Sequence, residues 1–430
     1  MLFNISYFKK PKNWIWIIIV FDLFFKSLIT YLHLPSSVTY INDFCCLILL
    51  HALIMKYKSS GFGDEYVQFR IVLFLLIESI LGYVNSLFNP FAYFWGIRTL
   101  FRFFIVFFAT ATFVNETMIK KFIKLLYWMI IISIPVSTIQ FFLGYEVDSV
   151  TAFFSEGKHI VGGNAAFNML MCLATSYYLV AYLCKKIPLY KLIVIVLSCV
   201  YMASIAEIKM YYFELIVILF LAMIYTKVSV QKIIGSFIGI VIIAIGFQLY
   251  GVFFGGRNTL DLQNMLDYAG VSGKSYGSMY RLNRFTAIPY VWDNILTTIP
   301  TKLFGLGAGY ADNVTTPLLS SGFFLSIKNE GFHLWTMSLE LTNIGMLGLI
   351  LLVSFFVSIY IYVLRKQKSD PNNDFYYIIT KITVVLVFIT LFYNTSIIIE
   401  TAAPFLYFTL AIPFSINNAK KKVSRGALNE

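Results

Sequence analysis

Arg98 and Arg102 stand four residues apart inside an apolar run (91–114), a spacing that puts both guanidinium groups on one helix face. Counted from the start of that run they lie roughly 10–17 Å along the helix. Arg257, Arg281 and Arg284 fall in the longest polar interval of the chain, and Lys209 opens another apolar run. A guanidinium grips phosphate oxygens with two donors and keeps its charge, whereas lysine acts as a point charge. Cations of this kind at a membrane boundary suit an anion with several charges, such as a diphosphate. The structural alternative is pairing of Arg98 and Arg102 with Glu78, or snorkelling. His333 and Glu340 are seven residues apart, so one continuous helix would show both on the same face, about 10 Å apart along its axis. An imidazole and a carboxylate so placed suit proton abstraction from a hydroxyl. The run GLGAGY (305–310) lacks the lysine and the strand of a nucleotide-binding loop. Its glycines suit close backbone approach to the membrane or to a substrate.

The elements that must position these groups are membrane helices. Of 430 residues, 59% are hydrophobic and only 13% charged, about half the charge of a soluble domain. Runs long enough to cross about 30 Å of hydrocarbon cover 14–33, 37–56, 70–89, 91–114, 121–144, 164–184, 188–206, 208–226, 233–252, 333–364, 376–395 and 398–417. The predicted fold is therefore all-α and polytopic, with about twelve transmembrane helices. It divides into an N-terminal bundle (1–252), a large partly helical extracytoplasmic loop (253–331), C-terminal helices (332–417) and a basic cytoplasmic tail (418–430). The run at 333–364 would make about 48 Å of helix, so it either projects from the bilayer or breaks near Gly345 and Gly348.

The formal net charge of +12 comes from lysines and arginines that punctuate the apolar runs, Lys185, Lys186 and Lys420 among them. That is the positive-inside pattern; it predicts both termini in the cytoplasm and excludes a nucleic-acid partner. The first run is too long for a cleaved signal and reads as a span. Four scattered histidines give no metal site, and five cysteines without CxxC spacing read as buried apolar thiols. Asp22 and Lys26 are spaced to pair along one helix face.

One order of residues resembles a known family. Arg284 is followed by an amphipathic stretch with Trp292, then FGLGAGY (304–310), then His333 with LELTNIGMLGLILL (339–352). It resembles the shared C-terminal region of O-antigen polymerases and O-antigen ligases, over about residues 280–360. Beyond that region the likeness is one of topology. The resemblance implies a GT-C-like membrane glycosyltransferase of the bacterial plasma (inner) membrane. Its substrate would be an undecaprenyl-diphosphate-linked oligosaccharide, with membrane lipids and a chain-length regulator protein as partners and no cofactor. Arg284, Arg281, Lys209, Arg98, Arg102 and Arg257 would then bind the diphosphate, and His333 or Glu340 would act on the acceptor hydroxyl. The chain departs from the family at 206–215 (AEIKMYYFEL), where Lys209 stands in place of an arginine. A polymerase, a ligase using lipid A–core as acceptor, and a flippase for the same lipid-linked sugar all remain open at this point.

Overall fold

The computed structural model describes residues 10–426 except 161, 228, 231, 236–238, 240, 242–244, 247, 249, 250, 252–281, 315 and 400. Arg257 and Arg281 lie outside the described residues, as does much of the predicted ninth span. The helices are α1 (Pro11–Leu32), α2 (Tyr40–Ser60), α3 (Tyr66–Ser86), α4 (Pro90–Phe113), α5 (Glu116–Phe142), α6 (Asn164–Leu183), α7 (Leu189–Ile205) and α8 (Lys209–Tyr225). Within the loop (253–331) lie α9 (Arg284–Tyr290), α10 (Ile299–Phe304) and α11 (Phe323–Ile327), and after it follow α12 (Thr336–Ser369), α13 (Asp374–Tyr393) and α14 (Ala403–Gly426). No strand occurs among the described residues.

Eight of these helices are long and apolar enough to cross a bilayer, and the chain is a polytopic membrane protein. Twelve were expected, of which the ninth lies largely outside the described residues. Helices α7 and α8 have 17 residues each, about 26 Å and short of a full hydrocarbon thickness. Helix α6 is the hub, with its most apolar window wholly buried. Elsewhere large apolar side chains such as Leu47, Phe94 and Phe220 remain exposed on the outer surface. A lipid-facing bundle needs such a surface, and water would penalise it.

Of the two outcomes its length allowed, projection or a break, α12 takes the break. Gly345 takes φ 62° and ψ −169° in mid-helix, a combination only glycine adopts without strain. The break leaves carbonyls above it without their helical donors. The glycine run supplies them: Leu306 N–H donates to the Thr342 carbonyl at 2.9 Å and Gly307 N–H to the Asn343 carbonyl at 2.8 Å. Gly305, Gly307 and Gly309 all have positive φ. A side chain on Gly82 of α3 or Gly96 of α4 would strike this backbone directly. Ser86 Oγ–H donates to the Leu306 carbonyl at 2.5 Å and Asn85 Nδ2 to the Gly305 carbonyl at 3.1 Å. The close approach expected of these glycines is therefore made to α3, α4 and α12, so this part of the loop is a wedge in the bundle.

Polar side chains close the two ends of the bundle differently. At the end remote from the loop, Asp64 accepts from Tyr362 at 2.8 Å and pairs with Lys421 and with Lys366. Burial works against the Asp64 charge, but Lys421, Tyr362 and Lys366 hold its carboxyl below the usual range. Asn418 Nδ2 donates to Glu65 at 2.8 Å and Lys420 pairs with Asp370. These contacts continue α14 to Gly426, so the tail expected from residue 418 begins as helix.

Gly345→Ala should lower stability by about 3 kcal/mol, because alanine meets both the backbone strain and the Gly305 backbone. Reversible unfolding of the purified protein in detergent would read this. A variant as stable as its parent would mean that α12 runs unbroken.

Candidate functional site

The loop-covered end of the bundle holds three of the predicted site residues, Arg284, His333 and Glu340. Asn283 caps α9, its side chain accepting from Phe285 N–H at 2.9 Å and Thr286 N–H at 3.0 Å. Thr286 Oγ accepts from Asn283 N–H in return, at 2.9 Å, completing a capping box. Arg284 is the first residue of that helix and is nearly buried. Its guanidinium carbon lies 4.0 Å from the Tyr393 ring centre, and its Nε donates to the Tyr393 carbonyl at 3.4 Å. Stacking on the aromatic face fixes the guanidinium plane, which suits recognition of a planar pair of oxygens.

His333 joins this shelf through the turn before α12. Leu282 N–H donates to the Glu330 carbonyl at 3.1 Å, tying the start of α9 to that turn. Thr336 donates through its N–H at 3.1 Å and through its hydroxyl at 2.7 Å to the Asn394 carbonyl at the end of α13. The imidazole meets Phe324 edge-on at 4.8 Å. Burial pushes it down to about 4, so it is neutral at physiological pH. A neutral imidazole is the form that can accept a proton.

The shared helix face expected of His333 and Glu340 does not hold. His333 sits in a short 3₁₀ turn (Phe332–Leu334), and Trp335 is extended at φ −125° and ψ 131° before α12 begins. Gly331, at φ 81°, starts that turn. Helical periodicity therefore does not connect the two residues. Glu340 is buried within the bundle, in electrostatic range of Glu78 and of Asp312. Asp312 accepts from Asn343 Nδ2 at 2.9 Å, and Asn343 Oδ1 in turn accepts from Ala311 N–H at 3.0 Å. Burial raises the Asp312 carboxyl above its usual range, and the Asn343 hydrogen bond acts the other way.

Arg98 and Arg102 occupy a separate seam, between α2 and α4. Arg98 binds Asp43 through Nε at 2.8 Å and through its terminal nitrogen at 2.7 Å, with Trp95 under its plane at 4.1 Å. Arg102 lies 3.7 Å from the same carboxylate. The partner is thus Asp43 and not Glu78, because α4 turns these arginines toward α2. Lys209 pairs with Glu207 at 3.1 Å at the start of α8. Asp148, in electrostatic range of both, accepts from Asn164 at 2.6 Å, and its burial raises its carboxyl. The Asp22–Lys26 expectation also gives way to tertiary partners: Lys26 reaches Glu156 at 2.7 Å and Asp22 accepts from Asn42.

Sequence reasoning missed Asp43, Tyr393 and Asp312. An acid near the start of the second apolar run (37–56) was a readable signal for Asp43. The other two gave none. Among the described residues, no group of three or more histidine, cysteine, aspartate or glutamate side chains is placed to hold a metal ion. Compared with known proteins, the chain matches no protein-family model and none of the curated proteins.

Asp43→Asn and Arg98→Gln should each destabilise the protein, and the double variant should recover about 1–2 kcal/mol of the summed loss. Additive losses in a detergent unfolding cycle would mean that the pair is not formed. For His333, the folded state binds a proton less readily than the unfolded chain. Its contribution to stability is therefore full above pH 6.5 and is lost as pH falls toward 4. Melting temperature should fall less over that interval in His333→Gln than in the parent; equal falls would mean an imidazole as accessible as in the unfolded chain.

Proposed function

We propose that the chain is a membrane glycosyltransferase, a repeat-unit polymerase of the O-antigen or capsule type acting on the outer face of a bacterial plasma membrane. The observation that carries this reading is the packing of α9, which bears the buried Arg284, against the turn that bears His333 at the loop-covered end. Arg284 would hold the diphosphate of a polyprenyl-linked donor and stabilise it as it leaves. His333 would orient the acceptor hydroxyl or take its proton as the oxygen attacks the anomeric carbon with inversion. Both termini would lie in the cytoplasm. A ligase that uses lipid A–core as acceptor would share the donor site.

Transport of the same lipid-linked sugar is a second reading. It is favoured by carboxylates buried in the bundle, Glu78, Glu214 and Glu340, which a bond-forming site at one end does not use.

Purified protein given undecaprenyl-diphosphate-linked repeat units, without nucleotide sugar, should produce a ladder of longer glycans on a gel. Arg284→Ala should reduce the product at least about a hundredfold, the scale of losing one charge-stabilising group. Product only on addition of lipid A–core would make the protein a ligase. Silence in both, from folded protein that binds the lipid, would favour transport.

A further inference from the structure

Helices α3, α4 and α12 meet beneath the glycine wedge along a seam of buried polar atoms. Glu78 on α3 is 5% exposed and Glu340 on α12 is 3% exposed. Both carboxylate oxygens of Glu78, and Oε2 of Glu340, lack a hydrogen-bond partner among the described residues. Glu78 packs on Gly348, where any side chain would strike its carboxylate. The hydroxyls of Ser79 and Tyr93 lie beside each other on the same seam, both more than nine-tenths buried. Tyr93 is in electrostatic range of Glu78.

Among the described residues, the groups facing the two carboxylates supply no compensating charge. From α3 comes Tyr83, which stacks on Tyr93 at 4.4 Å; from the wedge come Tyr310 and Asp312; from α14 comes Tyr407, in electrostatic range of Glu340. The basic groups on neighbouring elements are engaged elsewhere. Arg284 of α9 lies over Tyr393, Lys381 of α13 over the Tyr225 ring at 3.8 Å, and Arg98 and Arg102 of α4 face Asp43. An ionised carboxylate in a membrane interior costs several kcal/mol even after relaxation. Two of them within range of each other, and of a third acid, add repulsion that only a bound positive charge removes.

We propose that Glu78 and Glu340 form a proton-binding site in the bundle, loaded at neutral pH and reached from the loop-covered end past Asp312. The ligand is the proton itself, bound to the carboxyl oxygens with no other bond broken. Glu340 stands between the half-buried Asp312 at the wedge and Glu78 deeper in the seam, an order that gives the proton a stepwise route. The site requires neither the polymerase nor the transport reading.

The test is the infrared absorption of purified protein in detergent, in the region where a protonated carboxyl is resolved from a carboxylate. Wild type should show protonated-carboxyl intensity at neutral pH that disappears in alkaline buffer. Glu78→Gln and Glu340→Gln should each lose part of it, and the double variant the sum of the two. Identical intensity in wild type and double variant would overturn the proposal. So would loss of the band on adding sodium at fixed pH, which would assign the seam to a metal cation. If the double variant fails to fold, wild-type protein can be treated with a hydrophobic carbodiimide, which adds across a protonated carboxyl to leave an acylurea. Peptide mass analysis should find the adduct on Glu78 or Glu340 at neutral pH and not in alkali. Absence of adduct on both, with no alkaline-sensitive infrared band, would overturn the site.

Discussion

In hydrocarbon a backbone N–H or carbonyl that finds no partner costs several kcal/mol, and the break in α12 exposes such groups at membrane depth. The N–H groups of Leu306 and Gly307 complete the bonding that Thr342 and Asn343 lose at Gly345. The remaining architecture of the loop-covered end follows from that exchange. The wedge can reach the break only because Gly82 and Gly96 leave room on α3 and α4, and because the wedge glycines accept positive φ. Asn343, presented by the break, then holds Ala311 and Asp312, which seats the loop over Glu340.

The same constraint explains why charge is gathered into local locks. Asp43 faces Arg98 and Arg102, Glu156 faces Lys26, and Asp64 and Asp370 hold the lysines of α12 and α14. Each pairing lets a helix carry a charged residue without leaving it alone in lipid. The seam of Glu78 and Glu340 departs from this rule. With no cation opposite among the described residues, its charge balance must come from something small enough to enter a packed interface.

Arg284 and His333 are held differently from the other candidate residues. Both sit on short elements, a seven-residue helix and a 3₁₀ turn, that rest on the ends of α12 and α13. Such elements place side chains at the bundle surface while the long helices supply rigidity. Burial keeps the imidazole neutral, and the Arg284 guanidinium lies over the Tyr393 ring.

Hydropathy and glycine placement were legible in the sequence because each depends on residues close together in the chain. They gave the helical class and most of the helix positions, with a break near Gly345 as one of two outcomes for that run. They also marked the 305–309 glycines for close approach, without naming α3, α4 and α12 as what they approach. Arg284 and His333 were also legible as candidates from residue type and order. Their setting was not, because Tyr393 lies 109 positions beyond Arg284, and Asn394 lies 58 beyond the Thr336 that it anchors. Partner choice is a matter of how helices turn against each other, which local spacing does not encode. Arg98 could face Glu78 or Asp43, and Lys26 could face Asp22 or Glu156, at equal cost to the local pattern. The packing of α2 on α4 and of α1 on the 152–154 turn selected Asp43 and Glu156. The His333–Glu340 spacing failed for the converse reason: an extended Trp335 interrupts the helix that would have aligned them. Tertiary packing alone decided that Glu78 and Glu340 share a seam, since nothing in either helix refers to the other.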